Sequence, residues 1–130
     1  MHKRPILPDK LRRPPKQFSW VDQRLVRERY IDRLSHQACA LYLFLLTVAD
    51  AQGLSYYGDH SLCQRLSMSR PDLHQARQSL IQLGLLAYRH PLYQLLTLEP
   101  AVPGGVSTSK AYDETVDIKA VFERIREVLS

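Results

Sequence analysis

The stretch LCQRLSMSRPDLHQARQSLIQLGLL, Leu62 to Leu86, decides the fold. Leu62, Cys63 and Leu66 recur at helical spacing, so a short helix runs through them, with Asp59 as its expected cap. Ser67-Met68-Ser69 interrupts the pattern. Ser69 is placed to cap the next helix, and Pro71 falls in its first turn, where a missing N–H costs nothing. Leu73, Ala76, Leu80 and Leu83 then form a buried stripe. Gly84 stops the helix. Leu85-Leu86-Ala87-Tyr88 is an apolar strand, His90-Pro91 a tight connection, and Leu92 to Leu98 a second strand. Two helices joined by a short polar turn and followed by a hairpin are therefore expected.

Working outward, Ser35 caps a longer helix from His36 to about Ala51, with Gly53 as the glycine just past its end. That helix is apolar nearly all round, from Ala38 through Ala49, so it must be covered on most sides or join a subunit interface. Leu54-Ser55-Tyr56-Tyr57 is a short strand. Phe18 to Val26 is expected to be a lead-in strand or extended segment packed by Phe18 and Trp20. Downstream, Pro100, Pro103, Gly104, Gly105, Ser107 and Ser109 mark a linker at 100–112. Asp113 to Leu129 is amphipathic. The expected organisation is an arm at 1–17, a domain at 18–99, the linker at 100–112 and a C-terminal helix at 113–130. The fold class is α+β, in the order helix, strand, helix, helix, β-hairpin.

The charge is concentrated. Of the formal net +5, all lies in residues 1–16, where Lys3, Arg4, Lys10, Arg12, Arg13 and Lys16 face Asp9 alone; the remaining twelve basic and twelve acidic residues cancel. Pro5, Pro8, Pro14 and Pro15 keep this arm from being a helix. A solvated basic arm suits a polyanion, most often nucleic acid. Cys39 and Cys63 are far apart in apolar contexts and read as reduced core residues, which points to the cytoplasm, and a nucleic-acid partner for the arm would place the protein at the nucleoid. The basic start is followed by only Ile6 and Leu7 before Pro8, which is not a secretory pattern. The apolar run Ala38 to Leu46 is far shorter than the ~20 residues of a membrane span.

Leu62, Leu66, Ser69, Leu73, Ala76, Leu80, Gly84, Leu85 and Leu86 together resemble the helix-turn-helix of the winged-helix superfamily. The upstream LSHQACALYLFLLTVADAQGLSYY looks like the long first helix and first strand that precede such motifs. The resemblance covers about residues 34–98 and is similar to bacterial regulators of the multiple-antibiotic-resistance and GntR types. It is equally similar to the N-terminal domains of replication initiators and primosomal proteins. It implies a winged helix that binds duplex DNA. One position departs: many members have a second aliphatic residue after the small residue at 76, and here it is Arg77. Either Arg77 points outward from a slightly rotated helix, or it lies along the rim with its stem packed.

A helix fits the major groove and aims its first turns at base edges. Arg70, His74, Gln75 and Gln78 are the expected base readers, since arginine pairs with guanine and glutamine with adenine in a bidentate manner. Ser67 and Ser69 at the helix N-terminus, with Arg65, Arg77, Arg89 and the arm, are the expected phosphate contacts. Between residues 17 and 99 every basic residue is arginine, the side chain whose planar fork matches phosphate and guanine. The hairpin tip is short, so the arm takes the role of a minor-groove element. Ile118, Val121, Phe122, Ile125 and Leu129 form a stripe that packs on its own domain or joins two copies; a homodimer, through this helix or the first long helix, would read a two-fold site. No cofactor, metal site or enzymatic machinery is expected: there is no zinc-finger spacing, no phosphate-cradling glycine motif and no nucleophile elbow. The expected function is sequence-specific DNA binding, in transcription regulation or as an accessory of replication or a mobile element. The other expectation, of a different class, is an adaptor in which the winged helix contacts proteins.

Overall fold

Ser35 sets the start of the longest helix: its hydroxyl accepts the amide N–H of Ala38 at 3.1 Å, and α2 runs His36–Val48. The structure, a computed structural model, describes residues 2–98. The linker expected at 100–112 and the terminal helix expected at 113–130, with Ile118, Val121, Phe122, Ile125 and Leu129, lie outside those residues. Before α2 come a 3-10 turn at Pro8–Lys10, a one-turn helix α1 at Arg24–Arg27 and a second 3-10 turn at Ile31–Arg33. After it come β1 (Leu54–Tyr56), α3 (Asp59–Leu66), α4 (Arg70–Gln82), β2 (Leu86–Arg89) and β3 (Leu92–Leu95). The fold is α+β, with four helices among the described residues and one small antiparallel sheet in the order β1-β3-β2.

Register follows from alternation across each strand. Ser55 opposes Tyr93, and Tyr93 opposes Tyr88, so these three share one sheet face. Tyr93 is fully buried there. The core is a leucine cluster built from Leu41 and Leu45 of α2, Leu62 of α3, Leu73 and Leu80 of α4, and Leu85 and Leu86 entering β2. Burying each such side chain contributes about 1.5–3 kcal/mol relative to leaving it exposed.

Several sequence expectations are corrected, among them the second hairpin strand, expected to reach Leu98, which ends at Leu95. The long helix ends at Val48, because Ala49 turns to an extended backbone and Asp50 opens a turn that Gly53 closes. Asp50 Oδ1 accepts the N–H groups of Gln52 and Leu54, at 2.9 Å each. Gly53 sits at φ +83°, and a Cβ there would meet the Leu95 carbonyl at 3.1 Å, so it serves the turn into β1 rather than the helix end. Asp59 is not the cap of α3: Gly58 holds that position, and the Asp59 carboxylate is drawn to Arg77 instead. The segment 18–26 is not a packed strand. Arg24–Arg27 is helical and sends Leu25 into the core, while Phe18 and Trp20 are 69% and 74% exposed. The apolar surround of α2 is only partly covered, for Ala38, Leu41, Tyr42 and Leu45 are buried and Leu43 faces outward.

Candidate nucleic-acid interface

Ser69 fixes where α4 begins, its hydroxyl accepting the Asp72 N–H at 3.2 Å, with Pro71 in the first turn as its missing donor allows. The turn before it is made by Ser67, which takes the left-handed conformation at φ 52°, while the Met68 N–H bonds back to the Cys63 carbonyl at 3.1 Å. Gly84 at φ +75° ends α4, and the Leu85 N–H closes on the Leu80 carbonyl. Both ends of the helix are therefore held by local hydrogen bonds written in the sequence.

With its ends set, α4 has two faces. Leu73, Ala76, Arg77 and Leu80, at i, i+3, i+4 and i+7, are buried. Pro71, His74, Gln75, Gln78 and Gln82 recur at the same spacing on the opposite side and are all exposed. Arg70 is exposed one turn above His74, at the rim of that polar stripe. The four expected base readers are thus gathered on one accessible face, and Gln82 joins them. The i, i+4, i+7 continuation from Gln75 and Gln78 pointed to Gln82 in the sequence.

The phosphate candidates divide. Arg65 in the last turn of α3, Ser67 in the turn and Ser69 at the cap are exposed beside the start of α4. The Ser69 oxygen already accepts a helix amide, so what it offers outward is its O–H. Arg89 is exposed at the end of β2, in the hairpin. Lys3, Arg4, Lys10, Arg12, Arg13 and Lys16 are all exposed along the arm, which apart from the 3-10 turn at Pro8–Lys10 has no regular structure.

Arg77 is the correction. It is 6% exposed, and its Nη1 donates to Asp59 Oδ1 at 3.0 Å and to the Tyr93 hydroxyl at 2.9 Å. Its guanidinium carbon lies 4.2 Å from the centroid of the Tyr88 ring, in cation–π range. Burial alone would lower its pKa; the hydrogen bonds to Tyr93 and Asp59 outweigh that and raise it above the ordinary value. The same burial pushes the Tyr93 phenol up to about 12, against the pull of Arg77. Tyr88 and Tyr93 pack with centroids 4.6 Å apart. Arg77 thus faces inward and ties the first residue of α3, the middle of α4 and both hairpin strands together. It leaves the phosphate-binding set. The stripe through Leu73, Ala76 and Leu80 already passes through position 77; what the sequence could not supply was the identity of partners 16 and 18 residues away.

A second arginine–aspartate pair organises the lead-in. Arg24 Nη2 donates to Asp22 Oδ2 at 2.7 Å, and the Arg24 amide donates to Asp22 Oδ1 at 2.9 Å. The hydrogen bonds from the Arg24 side chain and amide hold the Asp22 carboxyl below the usual carboxylate range.

Among the described residues no helix is long and apolar enough to cross a membrane, and no group of three or more His, Cys, Asp or Glu is placed to hold a metal ion. Cys39 and Cys63 are free and half-buried. The chain matches no family model, no curated protein and no solved structure.

Proposed function

We propose that this chain is a winged-helix protein that binds duplex DNA sequence-specifically, with α4 laid in the major groove and the basic arm along the phosphate backbone. The observation that carries this reading is the outward stripe of α4. It presents Arg70, His74, Gln75 and Gln78 to solvent, on a helix whose ends are capped and whose inner face is locked to the sheet. These side chains can pair with base edges, and a rigid helix is the element that fits the groove. Arg65 and the α4 N-terminus flank that stripe and supply contacts that fix register without reading sequence. The arm adds the electrostatic share of affinity, which is independent of sequence. Binding without catalysis, as a transcription regulator or an accessory of replication or a mobile element, is the role that follows.

Selection from a pool of random duplexes at moderate salt tests the proposal. Convergence on a motif that the Arg70→Ala/Gln75→Ala double variant no longer selects supports it. A pool that fails to converge, with retention that depends on the arm alone, sinks it in favour of an adaptor whose partners are proteins.

A further inference from the structure

Just past the arm stand two large aromatic rings, largely exposed among the described residues, and they share a groove. Phe18 and Trp20, two residues apart, line the same cleft of about 530 Å³. That volume lies in the range of sites that take small ligands, roughly 300–1,000 Å³. Tyr42 and Leu46 of α2 supply apolar lining, and Gln52 and Thr97 supply hydrogen-bonding groups beside it. Two carboxylates also line it. Asp22 is held by Arg24, and Asp50 has Oδ1 committed to two backbone amides. The six exposed cations of the arm precede this cleft in the chain, with Lys16 two residues before Phe18.

We propose that this groove is a binding site for single-stranded nucleic acid: unstacked bases pack on Phe18 and Trp20 while the arm tracks the phosphates. The combination of a positive track with aromatic platforms is what sequence-tolerant single-strand binding requires, because every base has a π-face. The net +5 of the arm selects a polyanion over an uncharged apolar peptide. Bases, not phosphates, enter the cleft, so its two acids do not oppose the ligand. The site is separate from the outward face of α4, and its success or failure leaves the duplex-reading proposal standing.

Trp20 is the single tryptophan of the chain, so its emission reports on the groove alone. Titration of the full-length protein with oligothymidylate should quench that emission. Phe18→Ala should raise the apparent Kd about tenfold; Phe18 is largely exposed, so the fold is not at stake. Arg12→Gln/Arg13→Gln should weaken binding and flatten its salt dependence. Heparin, a polyanion without bases, should bind the arm with little quenching. Three results would overturn the proposal: emission unmoved by saturating oligothymidylate, quenching by heparin of equal depth, or a resting emission already blue-shifted and unresponsive because a protein segment fills the groove.

Discussion

Residues 2–16 carry six basic side chains against Asp9 and leave every one exposed, whereas α4 and its hairpin bury an arginine against a carboxylate and two tyrosines. The first region has charge without packing. The second has packing with little charge: residues 17–98 hold eight arginines against six acids, and one arginine faces inward. A long-range field needs no fixed geometry, since counterion release depends on how many phosphates are neutralised. Discrimination between bases needs donors and acceptors held on a rigid element. Under the proposed function, the division between arm and helix is one between affinity and selectivity, and each half can be broken alone.

The largest effect is expected from the arm. Replacing its six lysines and arginines with glutamine should lower duplex affinity at low salt by about three orders of magnitude and reduce the slope of log K against log salt by about five. The thermal midpoint should stay in place, because none of these side chains is buried. Filter binding across a salt series, with a calorimetric scan of the same sample, measures both. A slope that does not move would place the phosphate contacts elsewhere.

Arg77 should behave in the opposite way. Arg77→Ala leaves Asp59 and the Tyr93 hydroxyl without their donor and opens the contact with Tyr88, and should cost about 3 kcal/mol of stability. Urea unfolding reads this. Arg77→Met keeps the stem packed and should recover part of the loss. If Arg77→Ala were as stable as the parent and lost only DNA binding, the inward assignment would be wrong.

Arg70 and Gln75 complete the contrast on the same helix. Each alanine variant should unfold within about 0.5 kcal/mol of the parent, as surface changes do. Each should weaken binding to a selected duplex by about 1–3 kcal/mol and relax the preference at a single base position. Loss spread evenly over all sequences would instead mark the residue as a phosphate contact.

Legibility in the sequence follows the range of the interactions. Ser35, Ser69, Gly84 and the stripe through Leu73, Ala76 and Leu80 act within one or two turns, and each is found where its spacing put it, whereas Leu83, expected in that stripe, caps the helix end half-buried. The outward set Arg70, His74, Gln75 and Gln78 was legible as the complement of that stripe. Asp59, Arg77 and Tyr93 were not, because a carboxylate at a helix start looks like a cap until a guanidinium from the neighbouring helix claims it. Phe18 and Trp20 misled for a related reason. Large aromatics beside a domain suggest burial, yet Leu25 reaches the core first and leaves both rings on the rim of a groove.

The smallest expected effect concerns the clamp at high pH. Burial raises the Tyr93 phenol to about 12, above its ordinary value of 10.0. The neutral phenol is therefore favoured by the fold, and its contribution is complete below pH 10. It is lost as the pH rises from 10 towards 12, where the unfolded chain ionises and the folded chain must follow. Tyr93→Phe removes both the titration and the bond from Arg77, and at neutral pH should cost about 1 kcal/mol. That deficit should narrow as the pH is raised past 10, because the parent loses a contribution that the variant never had. Urea midpoints of the two proteins at pH 8 and pH 11 provide the measurement. Parallel losses would show that Tyr93 is not the group responsible and would turn attention to Tyr42, whose phenol burial also raises.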